Sequence, residues 1–457
     1  MSRTNQFDLI IVGAGVVGCA AARAFALDGR KVLLLERDLS EPDRIVGELM
    51  QPGGLEALRQ LGMEECTEGI DGIPCFGYSL YHQERMIELP YGTHDSEKPT
   101  KGIAFHHGRF IQNLRKSAQE TENVTLRQRT VSRLLMEDRL TERVIGVAST
   151  SAESEQEEYH YAPLTLIADG LFSKFRKEFT DRQTRVISHF VGFLIRDLEL
   201  PFPQKGFVCL AHPSPILMYQ IGSHETRVLV DVPGKLPQDL KGYLAKVISP
   251  QLPPSLQSPF LKAVETERLR PMPSGFLAPA VNQRLGTILL GDALNVRSPL
   301  TGGGMTVALE DVLLCRGLLS PEQVPSLADA DLVVQAMGAF HWKRKQYSVV
   351  INVLAMALYS VFAAGSSEQM KILQEGCFQY LMLGAHYAEG PMQLLAGLNH
   401  SPLSLIYHFF SVAFYSIYLL YKHARIQQLP ETIFLSFQVF STACVTIMPF
   451  LWGELFG

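Results

Sequence analysis

The 457-residue sequence has little tryptophan and little organised cysteine. Its two tryptophans are Trp342 and Trp452, and its seven cysteines (Cys19, Cys66, Cys75, Cys209, Cys315, Cys377, Cys444) form no closely spaced pair. An odd, unpatterned set excludes a disulfide scaffold and a cysteine-based metal site, and fits a reducing compartment. An excess of positive charge is also missing: 41 Lys+Arg face 46 Asp+Glu. That removes the electrostatic basis for binding nucleic acid. Near the N-terminus, only Leu9 to Val12 are continuously apolar before the first glycine. This run is too short for a secretory signal, so none is expected. No internal repeat is present.

A further shortage is local. Residues 346–457 hold only eight charged side chains: Glu368, Lys371, Glu375, Glu389, Lys422, Arg425, Glu431 and Glu454. The stretches 346–367, 390–421 and 432–453 carry no Asp, Glu, Lys or Arg. Each is long enough to cross about 30 Å of hydrocarbon as a helix. The last two are apolar all round, and tyrosines with Trp452 suit a membrane interface. Contact with a membrane is expected, by spanning it or lying in one leaflet. A buried helical bundle is the alternative.

The first 345 residues read as mixed α/β. Leu9–Val12 is an apolar strand, 16–28 a helix and Lys31–Glu36 a second strand, which makes a βαβ unit. Further strands are expected at 164–168, 227–232 and 286–290. The polar, acidic segment 149–161 fits a hairpin tip or loop. The proline-rich stretches 250–259 and 271–279 read as irregular connections.

Between the first strand and helix lies Gly13-Ala14-Gly15-Val16-Val17-Gly18. A lone GxGxxG is weak evidence, but this one follows a strand, opens a helix, and has an acid, Glu36, at the end of the next strand. Gly13 permits the turn, Gly15 lets the backbone approach a pyrophosphate, and Gly18 lets the helix pack on the sheet. The helix N-terminus then faces the phosphates, and Glu36 accepts from ribose hydroxyls. The motif alone does not choose between FAD and NAD. Its place at the beginning of the chain leans to FAD.

Two later motifs follow apolar strands: Asp169-Gly170, and Gly291-Asp292 in LLGDALNVRSPLTGGGM. An Asp at such a place can simply cap a helix. Asp292 can also accept from ribitol hydroxyls. Gly302, Gly303 and Gly304 then lead into a helix whose free N–H groups suit the pyrimidine edge of a flavin. His106-His107 has no further ligand spacing, and no metal is assigned.

The three motifs together are similar to the signature of aromatic hydroxylases of the flavoprotein monooxygenase class. The words between them are narrower. Asp43 to Gly54 (DRIVGELMQPGG), Gly77-Tyr78, His107-Gly108-Arg109-Phe110, Ala168 to Lys177 (ADGLFSKFRK) and Pro299 to Val307 (PLTGGGMTV) resemble the squalene epoxidase family. The likeness runs from about residue 8 to the C-terminus. It departs at Val296 and Ser298, where the family commonly has Met and His.

The resemblance implies an α/β fold: an FAD-binding Rossmann-like domain, a mixed β-sheet substrate domain and a C-terminal helical membrane-associated region. The expected bounds are 1–72, 100–180 and 283–345 for the first, 73–99 and 181–282 for the second, and 346–457 for the third. It implies FAD contacts at Val16, Val17, Glu36, Arg37, Arg44, Arg109, Val131, Asp292 and Met305. Gly13, Gly15, Gly18, Asp169, Gly303 and Gly304 join them from the motifs. Tyr78 and Gln51 match residues beside the flavin and are the catalytic candidates. Leu49, Tyr78, Val208, Leu210, Tyr219, Pro299 and Leu300 are the expected substrate lining.

The implied reaction is epoxidation of squalene to 2,3-oxidosqualene in sterol biosynthesis, with oxygen delivered through a flavin hydroperoxide. The implied partners are squalene, oxygen, membrane lipid and a separate NADPH-dependent reductase. The implied location is the endoplasmic reticulum membrane or lipid droplet, with the catalytic part on the cytosolic side. Direct NADPH binding across the flavin domain, as in some hydroxylases, stays open. Rival readings are an isoprenoid reductase, an aromatic or other terpene hydroxylase, and a prenyl-binding escort protein without flavin chemistry.

Overall fold

The computed structural model of the chain describes residues 7–93, 99–138, 142–151, 154, 156–365 and 367–455. The first strand, Leu9–Val12, is wholly buried, as a continuous aliphatic run should be inside a parallel sheet. It sits at the centre of five parallel strands. Their order is Thr287–Leu289, Leu164–Ile167, Leu9–Val12, Val32–Glu36 and Val124–Gln128. Leu9 pairs in register with Val32 on one side and with Leu164 on the other. The chain thus leaves the central strand in both directions, which opens a crevice at the strands' carboxyl ends.

Helix α1 (Val16–Leu27) is rich in alanine and buries nine of its twelve residues. After α2 (Pro52–Gln60) and α3 (His107–Glu120), two small three-stranded antiparallel sheets complete this part. One of them pairs Thr130–Met136, Val144–Thr150 and Glu158–Tyr161, so the acidic segment 149–161 is a strand end, a connection and a second strand. Its residues 152, 153 and 155 lie outside the described ones, as do residues 1–6 of the N-terminal segment.

A second sheet has seven strands, in the order Arg270–Phe276, Arg185–Arg196, Glu225–Pro233, Ile216–Gly222, Gly206–Cys209, Gly77–His82 and Arg85–Pro90. It is antiparallel except between Gly206–Cys209 and Gly77–His82. Alternation sorts its side chains. Ile216 and Met218 join the cluster under helix α4 (Pro254–Thr266), with Leu256 and Phe260. Leu217, Tyr219 and Ile221 face the opposite way and join a cluster with Tyr78, Val208 and Leu229.

The proline-rich stretches are regular, contrary to the expectation of irregular connections. Pro253 caps α4 and Pro254 opens it, where a missing N–H costs nothing. Pro271 and Pro273 lie on Arg270–Phe276, an edge strand. An edge strand tolerates proline because its outward N–H has no partner to lose.

Helix α5 (Gly304–Leu318) leads to α6 (Ala330–Phe362), α7 (Glu368–Met382), α8 (His386–Leu395), α9 (Pro402–His423) and α10 (Leu429–Leu455). Tyr359 and Phe362 of α6, Phe378 of α7 and Met392 of α8 cover the Tyr78–Leu229 face of the seven-stranded sheet. Two of the charge-free stretches differ from expectation. Stretch 346–367 belongs mostly to α6, whose apolar window is 78% buried inside the protein. Stretch 390–421 is not one helix, because the chain turns between α8 and α9 at Gly397, which has φ +69°. Among the described residues, three helices, α6, α9 and α10, are long and apolar enough to cross a membrane.

Candidate active site

One cavity of about 460 Å³ runs from the carboxyl end of the five-stranded sheet to the inner face of the seven-stranded one. Its first end is built by the glycine turn. Gly13 has φ +102°, and a Cβ there would sit 2.5 Å from the carbonyl oxygen of Ala168. At Gly15 a Cβ would meet nothing within 4 Å, so that backbone is open to a close-approaching group. Gly15 caps α1 without a side-chain acceptor, and no acid sits in the first turn. The N–H groups of the helix are therefore free for an anion.

Glu36 closes the turn: its Oε2 accepts from the Ala14 N–H at 2.7 Å. Arg115 of α3 braces it from behind, donating Nε–H to the Ala14 carbonyl at 3.1 Å and Nη1–H to the Ser40 carbonyl at 2.9 Å. Arg37, Arg44, Arg129 and Lys174 add positive charge around this end.

The middle of the cavity is lined by Asp169, Asp292, Arg297 and the start of α5. Asp169 Oδ2 accepts from the Lys174 N–H at 2.9 Å, while Asp169 Oδ1 is buried without a partner. Asp292 lines the cavity and is exposed to it. Desolvation there raises its pKa above the usual carboxylate range, with Arg297, Arg44 and Arg176 opposing. Helix α5 starts at Gly303 with no side-chain cap. By contrast, Asp329, Ser367 and Ser401 each cap their own C-terminal helix with a side-chain oxygen. Helices α1 and α5, whose first turns line this cavity, both have glycine caps. His107 also lines it, giving its Nδ1 to the Gly47 carbonyl at 2.9 Å; burial pushes its pKa down to about 4.

The far end is apolar: Leu49, Tyr78, Val208, Leu217, Tyr219, Leu229, Pro299 and Leu300 line it. Two buried charges mark its edge. Arg227 donates to both oxygens of Glu48 at 2.7 and 2.8 Å. Each charge there is tolerable only because of the other.

These features suit a dinucleotide that carries a flavin. They offer free helix N–H groups, an acid for ribose, an unpartnered carboxylate oxygen and a glycine cradle. Most expected residues meet here: Gly13, Gly15, Val16, Val17, Glu36, Arg37, Arg44, Val131, Asp169, Asp292, Gly304 and Met305 all line the cavity, as do Leu49, Tyr78, Val208, Tyr219, Pro299 and Leu300. Gly18 and Gly303 stand behind it as packing positions, each too close to a neighbour for a Cβ. Arg109 points instead toward Ile70 and Asp71, at 3.4 and 3.8 Å. Leu210 is buried beyond the strand Gly206–Cys209. Gln51 is fully buried behind Tyr78, to which it donates at 2.7 Å.

Sequence reading missed Arg115, Glu48, Arg297 and His107. Arg297 had one signal, a lone arginine in an otherwise uncharged loop after Asp292.

Comparison with known proteins agrees with this geometry. The sequence model of the squalene epoxidase family matches residues 161–434, and that of glucose inhibited division protein A matches residues 8–185. The solved structure of pqsL, a probable FAD-dependent monooxygenase from Pseudomonas aeruginosa, superposes with a TM-score of 0.63 at 18% identity. It covers 78% of this chain and 96% of its own. The chain thus has the fold of that FAD-dependent monooxygenase.

Closer relatives narrow this. Squalene epoxidase erg1 of Schizosaccharomyces pombe is 44% identical over 99% of both chains. Squalene monooxygenase of Mus musculus is 46% identical over 98% of this chain and 78% of its own. The chain belongs to the squalene epoxidase family.

Proposed function

We propose that this chain is an FAD-dependent squalene monooxygenase, converting squalene to 2,3-oxidosqualene in sterol biosynthesis. The observation that carries the reading is one continuous cavity, polar and anion-accepting at one end and apolar at the other. When bound, FAD supplies the electrons that activate molecular oxygen for transfer to an alkene.

The chain's own residues do the rest. The α1 N-terminus and Gly15 hold the pyrophosphate, Glu36 the adenosine ribose, and Asp292 the ribitol hydroxyls. The free N–H groups of α5 at Gly304 and Met305 favour negative charge on the pyrimidine edge. Leu49, Tyr78, Val208, Tyr219, Pro299 and Leu300 hold the alkene and keep water away from the reacting oxygen. The residues divide as 1–72, 100–180 and 283–345 for the cofactor domain, 73–99 and 181–282 for the substrate domain, and 346–457 for the C-terminal helical region that carries the attachment.

Substrate delivery fits the C-terminal helices. Helices α9 and α10 are only 28% and 22% buried over their apolar windows. They expose Phe414, Phe434, Phe437 and Trp452. A patch of this kind marks lipid or protein contact, and a C30 hydrocarbon is available only from lipid. We place the chain on the endoplasmic reticulum membrane or lipid droplet, with its catalytic part on the cytosolic side. Among the described residues, the five-stranded sheet carries one glycine-rich dinucleotide turn, at Gly13–Gly18. A separate NADPH-dependent reductase as electron donor accords with that.

The test is product analysis. Detergent-solubilised protein with squalene, oxygen, FAD, NADPH and a reductase is expected to give one 2,3-oxidosqualene per oxygen consumed. Oxygen uptake that ends only in hydrogen peroxide overturns the reading.

A further inference from the structure

A positive charge stands at the start of α5, and the assignments above leave it without a role. Arg297 lies on the loop between Asp292 and α5, lines the cavity and is only 9% exposed. Its Nη1 donates to the carbonyl of Gly304, the first residue of α5, at 3.2 Å. Its Nη2 donates to the backbone and side-chain oxygens of Asn295 at 3.1 and 2.8 Å. Its Nε is buried without a partner.

All three of these acceptors are neutral. Arg344, close by, is the contrast: both oxygens of Asp311 accept from it. A paired guanidinium presents little net charge to its surroundings, whereas one held by carbonyl oxygens keeps its positive unit. Asp292, Asp311 and Glu454 are the anions around Arg297. Asp311 is matched by Arg344, and Glu454 accepts from Asn352. An arginine charge without a contact ion pair thus stands where the cavity meets the α5 N-terminus.

Asn295, which holds it, is fully buried and fixed from several sides. Its Nδ2 donates to the Leu277 carbonyl at 2.8 Å. A backbone carbonyl only accepts, so the opposite end of the amide, Oδ1, is the acceptor that Arg297 meets. The same Oδ1 accepts from Asn352 Nδ2 of α6 at 2.9 Å, and that nitrogen also donates to Glu454 Oε1 of α10 at 3.0 Å. The anchor of Arg297 is therefore tied to the end of an edge strand, to α6 and to the last turn of α10.

We propose that Arg297 stabilises the negative charge that FAD gains on reduction, and that Asn295 is the positioning residue that keeps the guanidinium at the α5 N-terminus. The inference rests on the FAD reading above. Two electrons from the reductase and one proton leave one negative charge on the flavin, on its pyrimidine side. The helix end offers partial charges to that side, and Arg297 adds a whole one. No group is transferred to or from either residue.

The test is a reductive titration of the FAD-loaded full chain in detergent, without squalene or reductase, against a dye of known potential. R297Q keeps a side-chain donor and removes the charge. Relative to oxidised FAD, it should hold reduced FAD at least about tenfold less tightly, a midpoint potential about 30 mV lower for a two-electron couple. R297K, which keeps the charge, should recover at least half of that drop. N295L should lower the ratio roughly three- to fivefold, the worth of one hydrogen bond. It should add nothing in R297Q, because it acts through Arg297. Oxidised FAD, followed by quenching of its fluorescence, should lose far less affinity than the reduced form in each variant.

A wild-type potential in R297Q overturns the proposal, as does an N295L shift that persists at full size in R297Q. If R297Q does not fold, N295L decides, and an unchanged potential there overturns it. A wild type that takes up no FAD overturns the cofactor reading and the proposal with it. One that binds FAD but makes no epoxide overturns only the reaction, since the titration needs no turnover.

Discussion

Helices α6 and α10 have similar composition and opposite surroundings. Both are long and apolar, with mean hydropathies of 1.2 and 1.7 over their best windows, yet 78% of one window and 22% of the other are buried. One difference lies in their polar residues. Helix α6 carries Arg344, Tyr347, Asn352 and Tyr359, and each finds a partner far away in sequence. Arg344 donates to both oxygens of Asp311 at 2.9 Å, Tyr347 to Asp311 at 2.7 Å, Asn352 to Asn295 at 2.9 Å and Tyr359 to Asp231 at 3.1 Å. Helix α10 has fewer such partners, Glu454 accepting from Asn352 at 3.0 Å and Gln438 from Gln369 at 3.2 Å; it buries a narrow seam of Val439, Ala443 and Ile447 and turns large apolar side chains outward. What sets the two apart is the share of large apolar side chains that find neighbours inside the protein, most of them on α6 and few on α10.

The strongest way to break this comparison is to cut a partner on α6. Arg344→Met leaves Asp311 buried without its cation, a loss of about 3–5 kcal/mol. Chemical denaturation of the FAD-loaded chain in detergent measures it, and a loss below about 1 kcal/mol would show that α6 is not held by that pair.

The complementary change is on the exposed face of α10. F434E/F437E removes two exposed aromatic rings, each worth about 1.5–3 kcal/mol of burial in an apolar phase. Binding to lipid vesicles should fall at least tenfold, while stability in detergent stays within about 1 kcal/mol of the wild type. Unchanged vesicle binding would mean that this face does not meet lipid.

The smallest effect sharpens the contrast between the cavity, which holds titratable groups, and α10. His107 has its pKa lowered by burial to about 4, below its unfolded value. Its neutral form therefore contributes stability that is fully present above about pH 6.5. That contribution is lost as pH falls through about 4. Thermal unfolding followed from pH 7.5 to 4 should show a shallower acid loss in H107Q than in wild type. Parallel curves would remove His107 from the account.

Much of the cofactor end was legible because its signals are local. Gly13, Gly15 and Glu36 belong to one strand–turn–helix–strand unit, whose turn needs those residue types at that spacing. Asp169 and Asp292 follow buried strands, and strand ends in a parallel sheet converge on one crevice. Arg115 was not legible, since its partner carbonyl at Ala14 is 101 positions away. Nor was the place of Gln51, whose amide is fixed by a carbonyl 250 positions away at Thr301. The family likeness put Gln51 beside the flavin; the fold puts Tyr78 between Gln51 and the cavity.

The sequence by itself determined the dinucleotide turn, the alternation that sorts the seven-stranded sheet, and the apolar character of the last quarter. Each depends on neighbours within one element, where spacing alone fixes which side chains share a face. Tertiary structure alone decided which apolar helix is core and which is surface, which carboxylates line the cavity, and how Gln51 comes to stand behind Tyr78. Those outcomes depend on partners brought together from distant parts of the chain, and no local pattern records where a partner will stand.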